Sequence, residues 1–112
     1  MKLDQMPALQ SYKITPTFTQ DSVPAGLLAE HSTKEGVWGL IHVTQGKLRY
    51  CVTDTRRENE ERILEPESAA GVVEPTIVHR VEPLGPVEFH VEFLRASDDP
   101  GIARTPNKGG EA

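Results

Sequence analysis

The chain has 112 residues, enough for one domain and too few for two. Its formal net charge of −5, from 17 acidic and 12 basic residues, argues against a nucleic-acid partner, because binding a phosphate backbone requires a basic face. No apolar run approaches a membrane span, and the single Cys51 cannot form an internal disulfide, so we expect a cytoplasmic protein with no membrane partner.

The first half of the chain alternates short strand patterns with turn residues. Residues 9–18 favour an extended edge segment, and residues 24–32 favour a second strand. The strand predicted over residues 37–44 carries apolar side chains on both faces, which indicates that both faces are covered. Gln45-Gly46 then predicts a tight hairpin turn, followed by a returning strand over residues 47–53.

The second half continues the same pattern. Short strands are predicted over residues 62–65, 72–74 and 79–84, and Gly85-Pro86 predicts a turn. Residues 87–95 alternate strictly between an apolar face and a polar face. No stretch of more than about a turn has the pattern of a helix. The sequence therefore predicts an all-β fold, either a barrel or a double-sheet jelly roll.

The end of the chain differs in composition from the rest. Its last segment, ASDDPGIARTPNKGGEA, has no periodicity and few apolar residues. We therefore predict a β-barrel domain over residues 1–95 and a flexible, disordered tail over residues 96–112.

Histidines are the first candidates for a functional site. Imidazoles combined with a carboxylate suit zinc, iron or manganese. His90 and Glu92 lie two positions apart on one strand, about 6.6 Å from each other, so both could reach one ion. If the face that they share with Glu88 points outward, it is an ordinary solvated strand face. Each histidine taken alone is more often a surface or hydrogen-bonded residue than a ligand. The four histidines are His31, His42, His79 and His90.

Two blocks of sequence resemble a known family. HSTKEGVWGLIHVTQGKLRY and the later GVVEPTIVHRVEPLGPVEFHVEFL are similar to the TehB/YeaR-like domain of the cupin superfamily, over about residues 9–95. That domain forms the N-terminal part of some tellurite-resistance methyltransferases and also occurs alone. The resemblance implies a cupin-type double-stranded β-helix, that is, a jelly-roll barrel. It does not extend to the methyltransferase part of the longer relatives.

The resemblance also implies where a site would lie. Cupins usually bind a divalent metal through two histidines of an HxH pair, a glutamate and a later histidine. Here Ser32 and Lys34 stand about where the paired histidines would be, and the later histidine is retained. We therefore predict a rearranged site for zinc, iron, manganese or nickel, with the metal ligands His31, His79 and Glu92. The residues predicted to bind the ligand are Lys34, Trp38, Glu74 and His90.

Three functions follow from this site. The first is a binding domain for a small molecule or oxyanion, holding a divalent metal, in tellurite resistance or a stress response. The second is a metal-dependent oxygenase or isomerase acting on a small molecule. The third is a metal-free binding or interaction module. Barrels with edge strands often pair through them, so a homodimer is a candidate assembly.

Overall fold

The structure is a computed structural model that describes residues 9–96. Within this range the chain forms a six-stranded antiparallel sheet with the order β1-β6-β3-β4, while β2 pairs with β6 and β5 pairs with β3. The elements are β1 Leu9–Ile14, β2 Phe18–Thr19, α1 Ala25–Leu28, β3 Trp38–Val52, β4 Glu60–Leu64, β5 Gly71–Val73 and β6 His79–Ala96.

The predicted all-β class is confirmed by this architecture. The sheet is open in the described part of the chain, since β1 and β4 end the strand order and do not pair with each other, so a closed jelly-roll barrel is not confirmed. Ala96 is the last residue of β6, and the rest of the predicted tail lies outside the described residues. No helix between residues 9 and 96 has the length and apolar character needed to cross a membrane.

Two long strands form the centre of the sheet. β3 has 15 residues and β6 has 18, and they pair from Trp38 opposite Leu94 to Val52 opposite His79. Gly46 lies inside β3 with φ of +80°, where the pairing shifts register, so both strands continue past it. The predicted hairpin turn at Gln45-Gly46 is therefore wrong. A glycine with positive φ serves a bulge as well as a turn, and local sequence does not distinguish the two.

Alternation along these strands determines which side chains form the core. In β3, Ile41 and Val43 are buried, and in β6 Val87, Phe89 and Val91 are buried. Successive side chains on a strand point to opposite faces, so these residues share one face of the sheet. Burying a side chain of this size contributes about 1.5–3 kcal/mol. This face forms the hydrophobic core and also the floor of the cavity described below.

A single helical turn packs against the core through one leucine. α1 begins after Pro24, which lies at φ −61° and ψ 142° as N-cap, and Leu27 packs against the core cluster. The strand predicted over residues 24–32 is therefore wrong at its start. A fixed proline φ favours the beginning of a helix, and Leu27 gives the turn an apolar contact.

Candidate functional site

A cavity of about 600 Å³ lies between the core face of the sheet and the segment formed by residues 31–37. This volume is within the range of pockets that bind small molecules, about 300–1,000 Å³. Apolar side chains from β3, β5 and β6 line its interior, among them Ile41, Val73 and Phe89. α1 contributes Leu27 to the wall.

Backbone hydrogen bonds hold segment 31–37 over the sheet. His31 and His79 form an isolated antiparallel bridge, in which each backbone N–H donates to the other carbonyl at 2.9 Å. The Thr76 N–H donates to the Thr33 carbonyl at 3.1 Å, and the Thr33 hydroxyl donates to the Val37 carbonyl at 2.7 Å. The segment is therefore attached to residues 76–79 through His31 and Thr33 and is bonded internally from Thr33 to Val37.

The two predicted histidines from distant segments lie in contact at this cavity. The rings of His31 and His79 are 4.2 Å apart between centroids and both line the cavity. Nδ1 of His31 lies 3.1 Å from the Ala29 carbonyl, and Nδ1 of His79 lies 3.0 Å from the Ile77 carbonyl. A carbonyl only accepts, so both Nδ1 atoms carry hydrogen and both rings keep Nε2 for other partners.

His79 is neutral near pH 7 in this environment. Its exposed fraction is 3%, and burial lowers its pKa below that of a free histidine. The hydrogen bond to Ile77 opposes this shift, and the nearby His31 adds to it. Neutral His79, with Nδ1 donating its hydrogen, has a lone pair on Nε2. It can therefore accept a hydrogen bond or a proton from a ligand in the cavity.

Three cations line the same cavity. Lys13 and Arg95 come from the paired ends of β1 and β6, and Lys34 comes from segment 31–37. The guanidinium of Arg95 lies over the ring of Tyr12 at 3.8 Å from its centroid. Among residues 9–96, none of the three cations forms an ion pair with a carboxylate. Glu35 is the one carboxylate among the described lining residues.

A buried aspartate anchors the chain just before His79. The carboxylate of Asp54, 5% exposed, accepts hydrogen bonds from the Val78 N–H at 2.8 Å and from the N–H and guanidinium of Arg56. The same guanidinium donates to the Thr76 carbonyl at 2.6 Å. The Arg56 hydrogen bond is the main reason that the pKa of Asp54 is well below its usual value.

Sequence reasoning missed Lys13, Asp54 and Arg95. A signal existed for two of them. Arg95 continues the odd-numbered face of residues 87–95, so the alternation extends that apolar face to a cation. Asp54 precedes Arg56 by two positions, the spacing at which an aspartate side chain accepts a backbone N–H.

The predicted metal ligand Glu92 lies on the opposite face of the sheet. Its neighbours Val91 and Phe93 line the cavity, so alternation directs Glu92 away from it. Nε2 of His42 is 2.9 Å from the Glu92 carboxylate, and this hydrogen bond lowers the pKa of Glu92. His90, also predicted to bind ligand, stacks on His42 with ring centroids 5.0 Å apart. The polar face of residues 87–95 therefore points away from the cavity.

Trp38 and Glu74 are also outside the described cavity lining, for the same reason of alternation. Gly39 lines the cavity, so Trp38 points to the other face of β3. Val73 lines the cavity, and Glu74 instead forms an ion pair with Arg57 at 2.8 Å. Of the seven predicted site residues, the structure brings three to the cavity: His31, Lys34 and His79.

Two known proteins that are similar to this chain are considerably longer than it. Two proteins from strains of Haemophilus influenzae, each named probable S-adenosyl-L-methionine-dependent methyltransferase TehB, are 42% and 40% identical to it over 74 residues. Those residues are 65% of this chain and 26% of each relative, so the match spans about a quarter of the relatives' length.

Solved structures agree with this comparison. The crystal structure of TehB from Haemophilus influenzae aligns with a TM-score of 0.78 and 31% identity, over 93% of this chain and 37% of that one. A protein from E. coli strain K12 aligns with a TM-score of 0.69 and 22% identity, over 79% of this chain and 91% of that one. The second likeness concerns the fold alone.

The names of the relatives overturn the predicted cofactor. They specify S-adenosyl-L-methionine and not a metal, so the prediction of a divalent metal is wrong. The ligand geometry agrees, since no group of three His, Cys, Asp or Glu residues between positions 9 and 96 could hold an ion. The charge of the cavity does not favour S-adenosyl-L-methionine either. That cofactor carries a sulfonium, an ammonium and a carboxylate, so it is a net cation, whereas the cavity presents Lys13, Lys34 and Arg95 against one carboxylate among the described lining residues.

The family is shown by a match to most of the chain. The model of the TehB-like domain matches residues 13–91, which include the two histidines in contact and most of the described cavity lining. This span exceeds half of the 112 residues. The chain therefore belongs to the TehB-like domain family.

Proposed function

We propose that this chain is a binding domain that holds a small anionic molecule in the cavity under segment 31–37. The observation that carries the proposal is the set of three lining cations, Lys13, Lys34 and Arg95, without a carboxylate partner among the described residues. A cavity lined by one sign of charge concentrates counter-ions, so an anion is the ligand that this charge favours.

The role belongs to tellurite resistance, and its support is the family and the name of the relatives. Methyl transfer is not part of the proposal, because the matched residues are 26% of those relatives. The metal-dependent oxygenase or isomerase predicted as an alternative is not retained, since it requires the metal cofactor that the comparison overturned.

We also propose a superfamily, a location in the cell and an assembly for this protein. Membership of the cupin superfamily is supported by the sequence resemblance and by an antiparallel sheet with a cavity on its core face. A cytoplasmic location is supported by the buried, unpaired thiol of Cys51, which suits a reducing compartment. A homodimer through β1 or β4, the two ends of the sheet order, stays a prediction.

Two fluorescent dyes test the proposal. 8-Anilinonaphthalene-1-sulfonate is anionic, and N-phenyl-1-naphthylamine has the same aromatic body without the sulfonate. We expect saturable binding of the anionic dye with one site per chain, several-fold tighter than binding of the neutral dye. Equal affinity for the two dyes would contradict the proposal.

Variants that remove lining cations test whether the anionic dye binds in this cavity. Replacing Lys13 and Lys34 together by alanine should weaken binding of the anionic dye roughly threefold to tenfold, because each of these exposed charges contributes modestly to binding in water. The control replaces Lys47 and Arg62 by alanine, which removes the same charge away from the described cavity lining. If both double variants weaken the dye equally, the effect is one of net charge and the site assignment fails.

A further inference from the structure

We propose that the occupant of the cavity is an amphipathic organic acid, an apolar body with one anionic head, and not a bare inorganic oxyanion. This inference rests on the proposed anion-binding function and names the class of anion. The two observations behind it are the size of the cavity and the separation of charged from apolar residues along its wall.

Size is the first argument. The cavity is about 600 Å³. An oxyanion with three oxygens occupies about as much space as three water molecules, roughly 100 Å³ at about 30 Å³ each. Such an ion would leave most of the cavity to water in contact with apolar side chains, which is unfavourable. An organic body of eight to ten carbons would instead cover that surface.

Polarity along the wall is the second argument. The most buried residues of the lining are apolar apart from His79. The apolar surface that remains for a ligand comes from half-buried lining residues, which include Phe18, Leu27, Val37 and Phe93. The cations lie nearer solvent, since Lys13 and Lys34 are exposed and Arg95 is half-buried. The register pairs Lys13 with Phe93, so the change from charge to apolar surface occurs within one cross-strand pair.

This arrangement orients a ligand. The anionic head lies at the mouth with Lys13, Lys34 and Arg95, and the apolar body extends inward over the core face of the sheet. The buried His79 adds a polar side chain to the lining, and its Nε2 suits a polar group on the body. Each methylene that enters the cavity should tighten binding about fourfold.

A homologous series tests the inference. We would displace bound 8-anilinonaphthalene-1-sulfonate with butanoate, hexanoate, octanoate and decanoate, each below its micelle concentration. Tellurite serves as a head without a body, and 1-octanol as a body without a head. The expected result is affinity that rises steeply from butanoate to decanoate, with octanoate tighter than both tellurite and 1-octanol by tenfold or more.

The outcomes separate this inference from the function on which it rests. If tellurite displaces the dye as well as decanoate does, the amphipathic ligand is ruled out while anion binding stands. If neither tellurite nor any carboxylate displaces the dye, both proposals fail. If 1-octanol matches octanoate, the head group contributes nothing and the inference fails.

A pair of variants on α1 locates the apolar body. Leu27 lines the cavity and is half-buried, whereas its neighbour Leu28 is 42% exposed and is not part of the described lining. Leu27→Asn should reduce the gain per methylene and leave tellurite affinity within twofold, while Leu28→Asn should change neither. An unchanged gain per methylene in folded Leu27→Asn would overturn the placement of the body; the Val73→Ala variant repeats the test at a second lining position.

Discussion

His31 and His79, forty-eight positions apart, exchange both backbone hydrogen bonds of an antiparallel bridge and place their rings 4.2 Å apart. The bridge joins segment 31–37 to the start of β6. The Tyr50 ring also packs near His79, with centroids 5.7 Å apart. His79 is thus buried, and this burial is the main cause of its lowered pKa.

The buried imidazole predicts a pH dependence of stability. Because the pKa of His79 is lower in the folded chain than in the unfolded chain, the unfolded chain binds more protons below about pH 6.5. Stability should therefore be complete above that pH and fall as the pH decreases toward the folded pKa. The slope attributable to one histidine is at most about 1.4 kcal/mol per pH unit.

The variant His79→Gln should remove this slope. Urea denaturation at several values between pH 5.5 and 7.5 measures it, and the variant curve should be flatter than that of the natural sequence. His90→Gln is the control, because His90 lies on the opposite face of β6 and is only partly buried. Equal slopes in the natural sequence and His79→Gln would show that another group titrates.

The buried carboxylate of Asp54 should give stability a second pH dependence, at lower pH than that of His79. The hydrogen bonds from Arg56 and from the Val78 N–H hold the pKa of Asp54 well below its usual value. A depressed carboxylate pKa adds stability above the unfolded value near pH 4, and that stability is lost as the pH falls through the folded pKa. The difference in urea midpoint between the natural sequence and Asp54→Asn should therefore be largest at neutral pH and shrink below pH 4.

Asp21→Asn is the matched control for that measurement. Asp21 lies in an exposed turn, and its carboxylate accepts a long hydrogen bond of 3.4 Å from Gln20. The variant should keep the urea midpoint of the natural sequence at every pH. A midpoint difference for Asp54→Asn that stays constant from pH 7 to pH 3 would show that the carboxylate charge contributes nothing.

Alternation along residues 87–95 gave correct groupings of side chains. The odd-numbered apolar residues form the core face, and Glu88, His90 and Glu92 share the other face, as a period of two requires. Alternation does not say which face meets the cavity when a polar face is rich in histidine and glutamate. Glu92 was therefore predicted as a metal ligand, although its partner is His42 on the neighbouring strand.

Contacts between distant segments explain the other errors. The cations at the mouth come from β1, β6 and segment 31–37, and no local pattern indicates that Lys13 and Arg95 approach the same cavity. The approach of His31 to His79 was predictable because both lie in the two blocks that resemble the family. The length of β3 was not, since Gly46 has the local signature of a turn and its role depends on the opposite strand.

Removing the Tyr50 hydroxyl should lower stability by an amount that does not depend on pH in the neutral range. Its hydroxyl donates to the Val72 carbonyl at 2.9 Å, and burial raises the pKa of Tyr50 to about 12. The hydroxyl is therefore protonated in all ordinary buffers. Tyr50→Phe keeps the ring and removes the donor, so the free energy of unfolding should fall by about 1 kcal/mol. An unchanged urea midpoint would show that water replaces the bond without cost.

Two glycines at positive φ provide a matched test of how β3 and β6 pass each other. Gly46 has φ of +80° and Gly85 has φ of +93°. A Cβ built on Gly46 would collide with the Pro86 carbonyl oxygen and lie 2.9 Å from the Cα of Val87, whereas a Cβ on Gly85 meets nothing within 4 Å. Both alanine variants suffer the backbone strain of a left-handed conformation, about 1–2 kcal/mol. Gly46→Ala must in addition separate the two long strands.

We therefore expect Gly85→Ala to lower the free energy of unfolding by about 1 kcal/mol and Gly46→Ala to lower it by about 3 kcal/mol or more. Urea denaturation followed by circular dichroism measures both. The difference between the variants, rather than either value, reports the approach of the strands, because the strain at positive φ is common to both. If the two variants lose the same stability, β6 does not pass close to Gly46, and the continuous pairing of β3 with β6 that forms the floor of the cavity would be wrong.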